Sequence, residues 1–178
     1  GQIGNAGRIL IDGAVVPFDT GAAGKVAVIL FDGVKGQNLG LGVSPLTITP
    51  AGGAAQIYVK SPTGLDVVTR ASFSQPAGMN IPDLPATGTY TILIEPATSA
   101  YRLSGALTLS SDIVGTLTPN GSAVLLSTAR VGQNGRYTFD AIAGQSVSVL
   151  WSGATFTALS SLGLYKPDNS ALSNGSAY

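Results

Sequence analysis

The chain has no cysteine, no histidine and a single glutamate, Glu95, in 178 residues. Without cysteine there is no disulfide framework, no zinc–thiolate site and no thiol nucleophile. Without histidine there is no Ser-His triad, no imidazole metal ligand and no ordinary general base near neutral pH. Hydrolysis by paired carboxylates would have to use two aspartates, and most of these sit at turns, where they accept backbone hydrogen bonds. Charged residues make up only 10% and the net charge is zero. The basic residues (Arg8, Lys25, Lys35, Lys60, Arg70, Arg102, Arg130, Arg136, Lys166) are scattered, so no basic patch offers itself to nucleic acid or anionic membrane. The longest strongly apolar run, Val26 to Phe31, is too short to span a bilayer. Helix formers are scarce, and no window of a dozen residues shows a 3.6-residue period.

What is present is 44% hydrophobic residues, 24 glycines and 10 prolines. A disordered chain needs low hydrophobicity and high charge, so this one folds. Apolar and polar residues alternate in Gln56–Lys60, Thr89–Glu95 and Arg102–Leu109, and again in Gly135–Phe139, Ser146–Trp151 and Leu162–Tyr165. Lys25–Phe31 is nearly all apolar, the pattern of a central strand buried on both sides. Turn signals stand at Asp12-Gly13, Asp32-Gly33, Ser61–Gly64, Pro119–Gly121, Asn134-Gly135 and Pro167–Asn169. Short strands at this spacing predict an all-β sandwich.

The chain also repeats itself. A shift of 108 residues (121 − 13 = 108) carries Gly7 onto Gly115, Gly13 onto Gly121, Thr20 onto Thr128, Phe31-Asp32 onto Phe139-Asp140 and Gly36-Gln37 onto Gly144-Gln145. A three-residue gap then carries Pro62 onto Pro167. A unit of this size is a whole domain rather than a solenoid repeat. The expected organisation is an N-terminal arm (1–6), a complete β-sandwich repeat of eight or nine strands (7–112), and the opening half of a second (113–178). Ser110-Ser111-Asp112 is the whole junction. The second copy stops near the equivalent of Phe73 and lacks what residues 74–112 supply to the first.

Gly88–Pro96 followed by Arg102–Leu109 resembles the closing half of bacterial pre-peptidase C-terminal-like domains. Gly132–Phe139 and Ala143–Val149 resemble the opening half. The resemblance implies tandem antiparallel β-sandwiches of jelly-roll type in a secreted or surface-anchored bacterial protein, with a non-catalytic accessory, adhesive or spacer role. It carries no metal ligand or sugar-contacting residue over to this chain. The small number of Lys and Glu residues fits an extracellular location too, and a chain that starts at Gly1 reads as a processed end or a cut in a larger protein.

Several motifs invite a sharper reading. Phe18-Asp-Thr-Gly-Ala22 has the turn of an aspartic protease, in which two carboxylates share a proton, but the repeat partner of Asp19 is Ser127. Leu84-Pro-Ala-Thr-Gly88 spells a sorting signal, yet an alternating strand follows it rather than a hydrophobic span and basic tail. Gly21-Ala-Ala-Gly-Lys25 is too short for a phosphate loop, and Val26 stands where magnesium needs Ser or Thr. A calcium site at Asp32 or Asp140 lacks the Asp-x-Asp-x-Asp-Gly spacing. Trp151, Tyr137, Tyr165 and Tyr178 could line a sugar platform, though a sandwich core takes large rings as well. The sequence therefore predicts no catalytic, cofactor-binding or metal-binding residue.

One closing half cannot complete two opening halves. Each large apolar side chain left in water forfeits about 1.5–3 kcal/mol, and unpaired strand edges invite other chains. Three resolutions stay open. The chain is a piece of a longer tandem protein, or another chain supplies the missing strands, or the second domain folds with fewer. Strand exchange repeated head to tail builds a filament, with Gly1–Ala6 as a donor arm. The expected function is a non-enzymatic spacer, adhesive or self-assembling unit of a secreted or cell-surface protein. Its main partner is its own kind, with a glycan or surface ligand as a further partner. The alternative is a carbohydrate-binding accessory module of a secreted enzyme.

Overall fold

The computed structural model describes residues 1–155 and 160–177. They contain thirteen strands and no helix. The chain divides into two compact units, Gly1–Asp140 and Ala141–Tyr178.

The first unit contains β1 (Ile3–Arg8), β2 (Val16–Asp19), β3 (Val26–Gly33), β4 (Leu39–Thr49), β5 (Ala55–Lys60), β6 (Asp66–Phe73), β7 (Ala77–Ile81), β8 (Gly88–Pro96) and β9 (Arg102–Ser111). They form a five-stranded sheet, β1-β3-β8-β5-β6, and a four-stranded sheet, β2-β9-β4-β7. Every connection but β5–β6 crosses from one sheet to the other, so chain direction reverses at each crossing. Alternate strands of one sheet then run the same way, which makes β1 and β3 a parallel pair in an otherwise antiparallel sandwich. Residues 1–6 are no free arm: β1 enters the sheet of its own chain.

The inner faces meet in one core. Ile29, Phe31, Ile57, Val59, Tyr90, Ile92 and Ile94 come from one sheet, and Phe18, Leu39, Leu41, Leu103, Leu107 and Leu109 from the other. Alternation does the sorting, since residues two apart share a face. β3 is not buried on both sides: Ala27, Ile29 and Phe31 are buried, while Val26, Val28 and Leu30 are half-buried. Asp32-Gly33 ends β3 opposite Gly88-Thr89, and Asn134-Gly135 leads into a strand, so neither is a hairpin turn.

Beyond β9 the first unit continues with β10 (Ile113–Thr116) and β11 (Gly135–Thr138), again a parallel pair. The second unit contains β12 (Ser160–Tyr165) and β13 (Ala171–Ala177), an antiparallel hairpin. The pairing repeats with the sequence. Asn5↔Ala27, Ala6↔Val28, Gly7↔Ile29 and Arg8↔Leu30 return 108 residues later (113 − 5 = 108) as Ile113↔Gly135, Val114↔Arg136, Gly115↔Tyr137 and Thr116↔Thr138. Val59↔Val68 and Lys60↔Asp66 return 105 later (164 − 59 = 105) as Leu164↔Ser173 and Tyr165↔Ala171. Turn geometry returns as well, with φ of 57° at Asp12 and 60° at Asn120, and 84° at Gly36 and 83° at Gly144.

Ser146–Trp151 alternates in sequence yet forms no strand. Its counterpart is β4, which is held by β9 and β7. Residues 124–127, the counterpart of β2, form none either, and β2 pairs with β9. β10–β11 and β12–β13 form because both partners of each pair are present after residue 112. Alternation marks which face a residue would take; a ladder needs a neighbour to close its hydrogen bonds.

Candidate interaction surface

Two features stand out. The first is a clasp within the first unit. On the outer face of the four-stranded sheet, β4 and β7 present Gly40, Gly42 and Gly78 instead of side chains. Residues 130–134 lie directly on them, and a Cβ at Gly40 or Gly42 would overlap the carbonyl oxygens of Gly132 and Val131. Gly132 itself has φ +75° and sits against Gly42, so only glycine suits it. Thr108 Oγ1 donates to the Val131 carbonyl at 2.7 Å. Arg130 donates to Ser110 Oγ and to the Gly13 carbonyl, both at 2.7 Å. Asn134 Nδ2 donates to Asn80 Oδ1 at 3.1 Å and to Asp112 Oδ1 at 3.3 Å, and Arg136 Nε donates to Asp112 Oδ2 at 3.1 Å. The Asp112 side chain is only 3% exposed. None of the motifs singled out from sequence marks this clasp. Its signal is Gly40-Leu-Gly42, because glycines alternating along a strand mark close backbone approach.

The second feature is uncovered apolar surface after residue 112. Leu117, Leu126, Tyr137 and Phe139 are half-buried, whereas their counterparts Ile9, Phe18, Ile29 and Phe31 are buried. Val114 is 77% exposed and Leu125 is 88% exposed. In the second unit Val147, Leu162 and Leu164 are half-buried and Val149 is exposed, whereas Leu39, Ile57, Val59 and Leu41 are buried. Among the described residues β11 pairs on one side only, with β10, and β12 on one side only, with β13. In the first copy, β8 lies on the second side of both β3 and β5. The outer face of β10–β11 has a shallow open depression lined by Val114, Gly115, Thr116, Arg136 and Thr138.

The residues singled out from sequence are engaged otherwise. Asp19 ends β2, receives Arg102 Nε at 2.9 Å and accepts the Gly21 N–H at 2.8 Å. The Arg102 hydrogen bond, then the Gly21 amide, hold its carboxyl below the usual carboxylate range. A carboxylate bound in this way is not set to share a proton with a twin. Leu84 is buried, and Ala86 receives the Tyr90 hydroxyl, so Leu84–Gly88 is a structural turn into β8. Gly21–Lys25 bends the chain from β2 to β3, with Gly21 and Gly24 both at φ 74°. Asp32 accepts Thr89 Oγ1 at 2.7 Å and pairs with Arg8; Asp140 is exposed. No cluster of three or more His, Cys, Asp or Glu suited to a metal occurs among the described residues. The Tyr137 ring covers Gly115 on the inner side of β11, and Tyr165 covers Gly163 at the end of β12. Trp151 is half-buried, and Tyr178 lies outside the described residues.

No helix among the described residues is long and apolar enough to cross a membrane. No family model and no curated protein matches the chain. Among solved structures, the pre-peptidase C-terminal domain of a Bacillus anthracis collagenase is similar at 14% identity and a TM-score of 0.39, covering 58% of this chain and 93% of that one. The periplasmic g-type lysozyme inhibitor PliG of Aeromonas hydrophila is similar at 14% identity and a TM-score of 0.36, covering 59% of this chain and 97% of its own. A family two carbohydrate esterase from Cellvibrio japonicus is similar at 12% identity and a TM-score of 0.31, covering 58% and 32% respectively. The described residues are all-β, and β1–β9 form a β-sandwich.

Proposed function

We propose that this chain is a non-catalytic structural and interaction module of a secreted or cell-surface protein. In this reading residues 113–178 are the opening half of a second β-sandwich. The supporting observation is the repeated pairing register: β10–β11 and β12–β13 reproduce β1–β3 and β5–β6, and the segments that form no strand, 124–127 and 146–151, are the counterparts of β2 and β4, which pair with β7 and β9. Such a half carries apolar surface and open strand edges, and its use is to be completed by other strands. The module then serves as a spacer, an adhesive element or a self-assembling unit. The clasp of residues 130–136 supports a stiff join between the repeats.

Hydrogen exchange of the 178-residue chain tests this reading. Buried strands such as β8 and β9 are expected to exchange slowly, and residues 113–177 fast outside the clasp. Uniform protection throughout would mean that the second half is complete as it stands. Trp151 fluorescence during titration with polysaccharides is expected to stay constant; a saturable change would favour the carbohydrate-binding alternative.

A further inference from the structure

The open side of β11 has a defined complement. In the first copy β8 pairs antiparallel with β3, placing Ile94 opposite Ala27, Ile92 opposite Ile29 and Tyr90 opposite Phe31. All three β8 residues are fully buried. At the shift of 108 the facing row becomes Gly135, Tyr137 and Phe139. The carbonyls of Asn134 and Thr138 are taken by Ile113 and Leu117 of the β10 segment. Backbone groups alternate sides along a strand, so those of Gly135 and Tyr137 face the open side. Direction, register and side-chain alternation of an added strand are thereby set.

Neither of the closing strands β8 and β9 is free to be that complement. β8 and β9 are each paired on both sides and fill the core of the first sandwich, so donating them would unfold it. Residues 1–6, expected from sequence to be an extendable donor, are committed to β3. Their pattern is also wrong, because neither Ile3, Asn5, Gly7 nor Gly4, Ala6, Arg8 offers three apolar side chains in a row.

We propose that β11 is the receptor edge for the closing half of another repeat of this kind, whose counterpart of β8 lies antiparallel on it. That strand carries an aromatic residue opposite Phe139 and aliphatic residues opposite Tyr137 and Gly135. The proposal rests on reading residues 113–178 as an opening half. It replaces exchange of this chain's own arm with insertion of a segment patterned like Gly88–Pro96.

The test compares the 178-residue chain with the same chain extended after Tyr178 by a second copy of residues 74–112. The amides of Gly135 and Tyr137 are expected to exchange about a hundredfold more slowly in the extended chain, with a magnetisation-transfer contact between the Tyr137 ring and the appended Ile92. An extension carrying Ile92→Asp and Ile94→Asp in the appended copy alone is expected to restore fast exchange. Fast exchange in the extended chain, or equal slowing by the substituted extension, overturns the strand assignment while leaving the opening-half reading intact. If Gly135 and Tyr137 in the unextended chain already exchange as slowly as Ala27 and Ile29, the opening-half reading itself falls.

Discussion

Tyr90 stacks on Phe31 across β8 and β3, with ring centroids 5.2 Å apart and planes inclined by 17°. The pair sits where the closing half meets the opening half of the first copy. The Tyr90 hydroxyl donates to the Ala86 carbonyl and accepts the Ala86 N–H at 3.1 Å. Tyr90 thus fills the core and fixes the Leu84–Gly88 turn together. Tyr90→Phe keeps the ring and strands two backbone groups, an expected loss of about 1–3 kcal/mol. Tyr90→Ala also opens a cavity, an expected loss of about 3–5 kcal/mol. Urea denaturation of the first sandwich measures both, and a Tyr90→Phe variant as stable as the parent would show that the hydroxyl contributes nothing.

Gly42→Ala places a methyl group against the Val131 carbonyl oxygen and Thr108 Oγ1. Gly42 faces outward, away from Leu41 and Val43 in the core. The expected effect is release of residues 130–134 at a cost of about 1–3 kcal/mol, seen as faster proteolysis there. The urea midpoint of the first sandwich should barely move. A core that melts earlier with residues 130–134 still docked would contradict the clasp.

Asp112 is a buried carboxylate held by Arg136 and Asn134 at the junction of the copies. Asp112→Asn keeps the shape but removes the charge that faces the guanidinium. An expected loss of about 1–3 kcal/mol should appear in the exchange of Ile113, whose amide donates to the Asn134 carbonyl. Arg136→Met should cost less than Asp112→Ala, because the Arg136 side chain is 34% exposed and the carboxylate it leaves still has Asn134.

Acid should weaken the first sandwich. The Arg102 and Gly21 hydrogen bonds hold Asp19 below the usual carboxylate range, and Thr89, then Arg8, do the same for Asp32. A carboxyl whose folded pKa is depressed stabilises the fold above its unfolded pKa, and that contribution is lost as pH falls through the folded value. Urea midpoints are therefore expected to hold level from neutral pH to about 5 and to fall below about 4. Asp19→Asn and Asp32→Asn should each flatten the fall. Midpoints that rise on acidification would contradict these pairings.

Residue pattern alone placed four of the nine strands of the first sandwich, β3, β5, β8 and β9, because alternation such as Thr89–Glu95 and turns such as Ser61–Gly64 are local properties. It also showed residues recurring at fixed offsets, and left-handed turns recur with them at Asp12 and Asn120 and at Gly36 and Gly144. It misjudged β3, whose outer residues Val26, Val28 and Leu30 are only half-buried, because an apolar run does not say whether a second layer covers it. It placed a strand at Ser146–Trp151, because a pattern cannot report whether a hydrogen-bonding neighbour exists.

What the amino-acid order determined by itself was the all-β class, the absence of histidine and thiol chemistry, and the repeat. Tertiary structure alone decided that residues 3–6 lie within a sheet, that Gly40 and Gly42 receive the loop around Gly132, and that β11 pairs with β10 alone among the described residues. Each of these depends on which distant segments meet. A strand's hydrogen bonds and a glycine's close contacts are completed by residues far away in sequence, so no local pattern can specify them.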